Sequence, residues 1–159
     1  MPMPRQTVLD HLKAEYERTR HYLGAFRAQD MDFKPTPDSM SVRQLGLHLM
    51  GCHNYLEKLA LEDSGDFANF QLPYTPADAA ELVGLFDDHY RRVRDGLERL
   101  PEDKYNRMVS PFGHPQPLSD IVMSLIIHEA HHRGQLGLCH RLLGQAPPDI
   151  YMGEVPAVD

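Results

Sequence analysis

Residues 119–144 read SDIVMSLIIHEAHHRGQLGLCHRLLG, and this stretch decides the fold. It holds no proline, which costs ~3 kcal/mol inside a helix. It stops at Gly144 with Pro147-Pro148 beyond, the order in which helices commonly end. At about 100° per residue, with His128 at zero, His132 falls near +40°, Gln135 near −20° and Cys139 near +20°. Ile121, Leu125, Leu136, Leu142 and Leu143 share that face, so two imidazoles and an amide are expected on the core side of a long helix. His131, near −60°, lies at its edge and Glu129, near +100°, at its margin, while His140 and Arg133, near +120° and +140°, lean away.

The thirteen prolines mark the rest of the architecture. They leave four long proline-free windows, 5–34, 38–72, 77–100 and 118–146, each able to hold one long helix. In the first, Leu9, Leu12, Tyr16, Thr19, Leu23 and Phe26 recur at spacings of three and four, which predicts a helix from Thr7 to Ala28. In the second, Ser41 caps a helix that ends near Glu62, with Leu45, His48, Leu49, Cys52, Leu56 and Leu59 on one face. Thr75-Pro76-Ala77-Asp78 reads as N-cap, first-turn proline and acid, so the third helix is expected to start there and bury Leu82, Leu85, Phe86, His89, Val93, Leu97 and Leu100. Ser119-Asp120 opens the fourth. No window alternates with period two and no repeat recurs, so a sheet or solenoid is a poor reading and an all-α four-helix bundle is the economical one. Segment 63–75, at ~3.3 Å per extended residue, is long enough to run the length of the second helix, and 101–118 is long enough to cover one end of the bundle.

Composition narrows the function. A chain of 159 residues and 18.2 kDa fits a single domain spanning 1–159. Acidic residues number 23 against 16 basic, a net charge of −7, so the positive field that a nucleic-acid binder needs is missing. No apolar run approaches the ~20 residues of a membrane span, and nothing at the N-terminus reads as a secretion signal. Two cysteines, Cys52 and Cys139, are too few for a disulfide scaffold, which makes the cytoplasm the expected compartment.

Histidine is the unusual component, with ten residues. Imidazoles at i and i+4 stand ~6 Å apart at Cβ, a gap that one metal ion ~2.0–2.1 Å from each nitrogen can bridge. His48 occupies the same kind of position on the second helix, so His48, His128 and His132 are expected to converge inside the bundle. Three desolvated imidazoles need three separate hydrogen-bond partners unless one cation satisfies them together. Gln135, one turn beyond His132, is the expected hydrogen-bond partner that orients a ligating ring. His128-Glu129-Ala130-His131-His132 also fits the H-E-x-x-H zinc-peptidase string, but Gln135 and Leu138 stand where the metzincin continuation has Gly and His, which leaves hydrolysis a minor alternative. Cys52 and His89 read as core packing. His11, His21, His53 and His114 carry no signal.

Together, Ser41-Val42-Arg43-Gln44-Leu45-Gly46-Leu47-His48-Leu49, His128-x-x-x-His132-Arg133-Gly134-Gln135, Leu142-Leu143-Gly144 and the earlier Lys34-Pro35 resemble the DinB-like (DinB/YfiT) family of metalloenzymes. The resemblance covers almost the whole chain. It implies a four-helix bundle with a crossover between the second and third helices, often a homodimer. It also implies a divalent metal ion, zinc, nickel or iron, held by His48, His128 and His132; Glu129 and His131 are not part of its pattern. Relatives of this kind include enzymes that conjugate or isomerise substrates with low-molecular-weight thiols. The resemblance therefore implies a thiol-dependent S-transferase or related detoxification enzyme acting on an electrophile. A non-catalytic metal or small-molecule binding protein of a stress response is the alternative.

Overall fold

A computed structural model describes residues 3–62, 70–111 and 113–150. Four long helices, α1 (Arg5–Gly24), α2 (Val42–Glu62), α3 (Ala79–Arg99) and α5 (Leu118–Leu142), carry the fold, and a single turn, α4 (Glu102–Tyr105), follows α3. Each boundary has a local cause. Ser41 Oγ accepts from the Gln44 N–H at 3.2 Å while Gln44 Oε1 accepts from the Ser41 N–H at 2.9 Å, a reciprocal box that starts α2 where Ser41 was expected to. The last helix ends as expected at Gly144, whose φ of +72° suits glycine. There the Gln145 N–H reaches the His140 carbonyl at 2.8 Å and the Gly144 N–H that of Arg141 at 3.0 Å, satisfying carbonyls that the helix leaves free.

Three helices have limits that differ from the sequence reading. α3 starts at Ala79, because Asp78 rather than Thr75 caps it: Asp78 Oδ1 accepts from the Glu81 N–H at 2.9 Å. α5 starts at Leu118, one residue before Ser119, which is fully buried and accepts from the Met3 N–H through Oγ at 3.3 Å. α1 starts at Arg5 and stops at Gly24; a separate 3-10 turn, Ala28–Asp30, follows, closed by the Asp30 carboxylate on the Arg27 N–H at 3.0 Å. Phe26 is buried all the same, outside any helix.

Side-chain pairings give the helix directions. Arg5 near the start of α1 reaches the Glu98 carbonyl near the end of α3, and Tyr16 meets Asp87, so α1 and α3 are antiparallel. Met3 with Ser119 and Tyr22 with His140 make α1 and α5 parallel. Gly46 lies against Leu82, Glu57 pairs with Arg92 and Gly96 lies against Leu61, so α2 and α3 are parallel neighbours. Parallel adjacent helices require a connection that returns along the whole bundle, which is the crossover expected between them. Residues 63–69 of it lie outside the described residues, as do Phe112 and the tail that contains Glu154. Its later part runs close beside α2: a Cβ on Gly51 would sit 2.3 Å from the Phe70 carbonyl oxygen, and the Phe70 ring stacks on Tyr55 at 4.7 Å.

The core is apolar and continuous, with Leu12, Leu23, Leu49, Leu56, Phe86, Leu97 and Leu118 at most 2% exposed. Each such side chain contributes about 1.5–3 kcal/mol by leaving water. Segment 101–118 covers the end of α2, as its length suggested. It contains a small antiparallel ladder, β1 (Met108–Val109) with β2 (Gln116–Pro117), that the sequence reading had no sign of. Arg107 beside it donates to the Leu59 and Ala60 carbonyls, at 2.6 and 3.3 Å, in the last turn of α2.

Candidate metal centre

α2 and α5 pack together, and their facing sides bring His48, His128 and His132 to one place. Their ring nitrogens lie within 4.8 Å of one another. His128 Nε2 is 2.9 Å from His48 Nε2 and 3.0 Å from His132 Nε2. The rings stand nearly edge to face, at 66°, 77° and 83°, so the nitrogens rather than the ring faces meet.

The donor chemistry fits a cation. Gln135 Oε1 lies 2.8 Å from His132 Nδ1 and can only accept, so Nδ1 carries the proton and Nε2 turns a lone pair to the centre. His128 Nε2 offers one proton or one lone pair, and so cannot serve both of its short contacts well. A shared ion satisfies all three nitrogens. Tetrahedral ligation with bonds of ~2.0–2.1 Å would set the nitrogens ~3.3 Å apart, a few tenths of an ångström beyond the two spacings at His128 Nε2. Burial, together with the neighbouring His132 and His128, pushes His48 down to about 4. Burial also lowers His128, helped by His132 and His131. His132 is lowered by burial against the opposing hydrogen bond from Gln135. All three rings are therefore neutral at pH 7, the form that ligates.

The expected site residues do not all gather here. Gln135 lies where its spacing put it, with its Nε2 3.3 Å from the Nε2 of His131, an exposed residue at the edge of the cluster. Cys52 is buried, and burial followed by the charge of Glu129 pushes its thiol up to about 12, so it is an inert packing group. His89 is buried on α3, where its Nδ1 accepts from the Arg92 guanidinium at 2.9 Å, and it is not among the clustered ligands.

Two groups expected to lean away from the core are buried: Arg133 is 6% exposed and His140 fully enclosed. They face α1, where Arg133 pairs with Glu15, and His140 meets the Tyr22 carbonyl at 3.0 Å and stacks on Phe26. Leu142, expected on the core face, is 56% exposed. Sequence reasoning missed His53, which is buried and meets Glu129 through Nε2 and Oε2 at 3.1 Å.

The family model for the DinB superfamily matches residues 11–136. The chain belongs to the DinB superfamily. Solved structures of similar fold agree. A DinB-like protein of Bacillus subtilis superposes with a TM-score of 0.74 at 22% identity, over 91% of this chain and 96% of its own. A DinB-like protein of Bacillus cereus gives 0.68 at 21%, over 92% and 97%, and a candidate DinB-family member of Exiguobacterium sibiricum gives 0.72 at 22%, over 95% and 100%. At these identities the likeness is one of fold. No curated protein matches the chain. The DinB-superfamily bundle has no helix, among the described residues, long and apolar enough to cross a membrane.

Proposed function

We propose that this DinB-superfamily chain is a divalent-metal-dependent enzyme in which His48, His128 and His132 hold the ion, and that it transfers a low-molecular-weight thiol to an electrophilic substrate. The observation that carries the reading is the meeting of three Nε2 atoms with neutral rings between two helices, one ring fixed in its tautomer by Gln135. A divalent ion held there by three neutral imidazoles would have coordination positions to spare and would favour the thiolate over the thiol at neutral pH. The chain's own part is to hold the rings. α2 presents His48, α5 presents the other two one turn apart, and Gln135 keeps the His132 proton on Nδ1.

The buried thiols of Cys52 and Cys139, both raised by burial, are poor nucleophiles, which favours a soluble thiol over a protein cysteine as the attacking group. Glu129 is engaged with His53 in the seam between the helices, which argues against its use as the base of a hydrolase. A cytoplasmic location and the homodimer that the family resemblance implies belong to the same reading, and light scattering tests the second.

Elemental analysis of untagged protein purified without chelator, beside the His48→Ala/His128→Ala/His132→Ala variant, is the deciding experiment. About one divalent ion per chain in the parent and none in a still-helical variant is expected. Reconstituted protein should then consume thiol and electrophile together with turnover; saturable binding without turnover would instead identify a binding protein. A parent that takes up no zinc, nickel, iron or manganese on reconstitution removes the enzyme reading.

A further inference from the structure

The most deeply enclosed polar contact between α2 and α5 lies beside the three histidines. His53 and Glu129 meet at 3.1 Å with side chains 5% and 4% exposed. His53 Nδ1 and Glu129 Oε1 are also shut off from water and have no hydrogen-bond partner among the described residues. A buried pair with two unspent polar atoms is costly, and well-packed apolar side chains of similar volume commonly hold such a seam as well or better. Packing alone therefore gives no reason for a carboxyl group here.

Its position does give one. Glu129 stands three residues before His132, so the two are neighbours on the helix surface, where i and i+3 side chains lie ~5–6 Å apart at Cβ, and it is joined to His128 through the backbone. Three neutral imidazoles bring no negative charge, and a divalent ion among them would leave two positive charges in a partly enclosed site. The other buried carboxylate among the described residues, Asp30, is committed to Arg27 and Gln145. Arg133, the cation next to His132, turns to Glu15 on α1. The charge of Glu129 is also felt in this seam, where it helps to raise the Cys52 thiol.

Resting on the metal reading above, we infer that Glu129 is the counter-charge of the cation site: held in the α2–α5 seam by His53, its carboxylate raises cation affinity without becoming a ligand. It is a positioning residue, and the H-E-x-x-H string that suggests a general base has a different use in this chain.

The test measures Zn²⁺ dissociation constants by chelator competition and the visible spectrum of the Co²⁺ form, with circular dichroism as the check on folding. Glu129→Gln, close to isosteric, should weaken Zn²⁺ binding by about tenfold or more while the Co²⁺ bands keep their positions. His53→Gln keeps the carboxylate and should stay within about threefold of the parent, and Glu129→Asp should recover most of the loss. Should Glu129→Gln fail to fold, the His53→Gln/Glu129→Gln double variant, whose two amides can bond to each other, makes the same comparison against His53→Gln. Equal Zn²⁺ affinity in parent and Glu129→Gln overturns the inference and leaves the metal reading standing. Equal losses in His53→Gln and Glu129→Gln also overturn it, since the pair would then act as a clamp, and displaced Co²⁺ bands overturn it by making Glu129 a ligand. A parent that binds no divalent ion overturns both.

Discussion

Gln135 shows how much one side chain can decide. Its Oε1 accepts from His132 Nδ1 at 2.8 Å and its Nε2 faces His131 at 3.3 Å, and with the amide so oriented His132 has one tautomer. Gln135→Leu keeps the volume and removes the acceptor; Zn²⁺ affinity should fall by about 10–100-fold with the melting temperature close to the parent's. Gln135→Glu still accepts and should bind about as well as the parent. An unchanged affinity in the leucine variant would deny Gln135 its role. The histidines and this glutamine were legible in the sequence because i, i+4 and i+7 fall on one side of any α-helix. Glu129, Arg133 and His140 were not, because a helical wheel has one core direction whereas α5 packs on α1 and on α2. The contact with α1 buries Arg133 and His140, satisfied by Glu15 and the Tyr22 carbonyl, while Glu129 turns to His53 in the contact with α2. His53 in particular left no trace, since its partner lies on another helix.

At the scale of the element, helix interiors were easier to read than helix ends. Proline positions bounded all four long helices, and the predicted buried stripes of α2 and α3 are largely the observed ones. The ends depend on competition between neighbouring caps. Around the start of α3, Thr75 before Pro76 and Asp78 before Glu81 are both plausible signals, and Asp78 prevails because its carboxylate takes the Glu81 N–H while Glu81 bonds the Ala77 N–H at 2.7 Å. Asp78→Ala should therefore cost about 1 kcal/mol of unfolding free energy, and Thr75→Ala almost nothing, in urea titrations of both variants. The reverse order would restore Thr75 as the cap. Gly51 makes the corresponding point for the crossover: no periodicity marks it, yet Gly51→Ala would drive a methyl group into the Phe70 backbone, 2.3 Å away. Loosened packing of the crossover on α2 should appear as faster amide exchange in 70–74, with α1 and α5 unaffected.

The whole molecule adds what neither residues nor elements contain, the directions of the helices. Segment length allowed a crossover, but only the pairings of Gly46 with Leu82 and Glu57 with Arg92 make α2 and α3 parallel. That arrangement leaves His89 of α3 enclosed, 2% exposed, beside the crossover residue Tyr74 at 5.9 Å between ring centroids. Burial, with the Arg92 charge adding to it, lowers His89 from the ordinary 6.5 to about 4, and the Arg92 guanidinium donates to its ring, which requires the neutral form. The unfolded chain therefore binds the His89 proton more tightly than the folded one. Stability from this residue is complete above pH 6.5 and is lost as the pH falls from 6.5 towards 4, by on the order of 2 kcal/mol. The metal-free triad contributes to acid lability in the same window, so the quantity that isolates His89 is a difference between two metal-free proteins. Urea unfolding of the parent and of His89→Gln at pH 7.5 and pH 4.5 supplies it. The parent should lose about 2 kcal/mol more than the variant between the two pH values. Equal losses would mean that His89 accepts its proton in the folded bundle, and that the α2–α3 seam opens to water without unfolding.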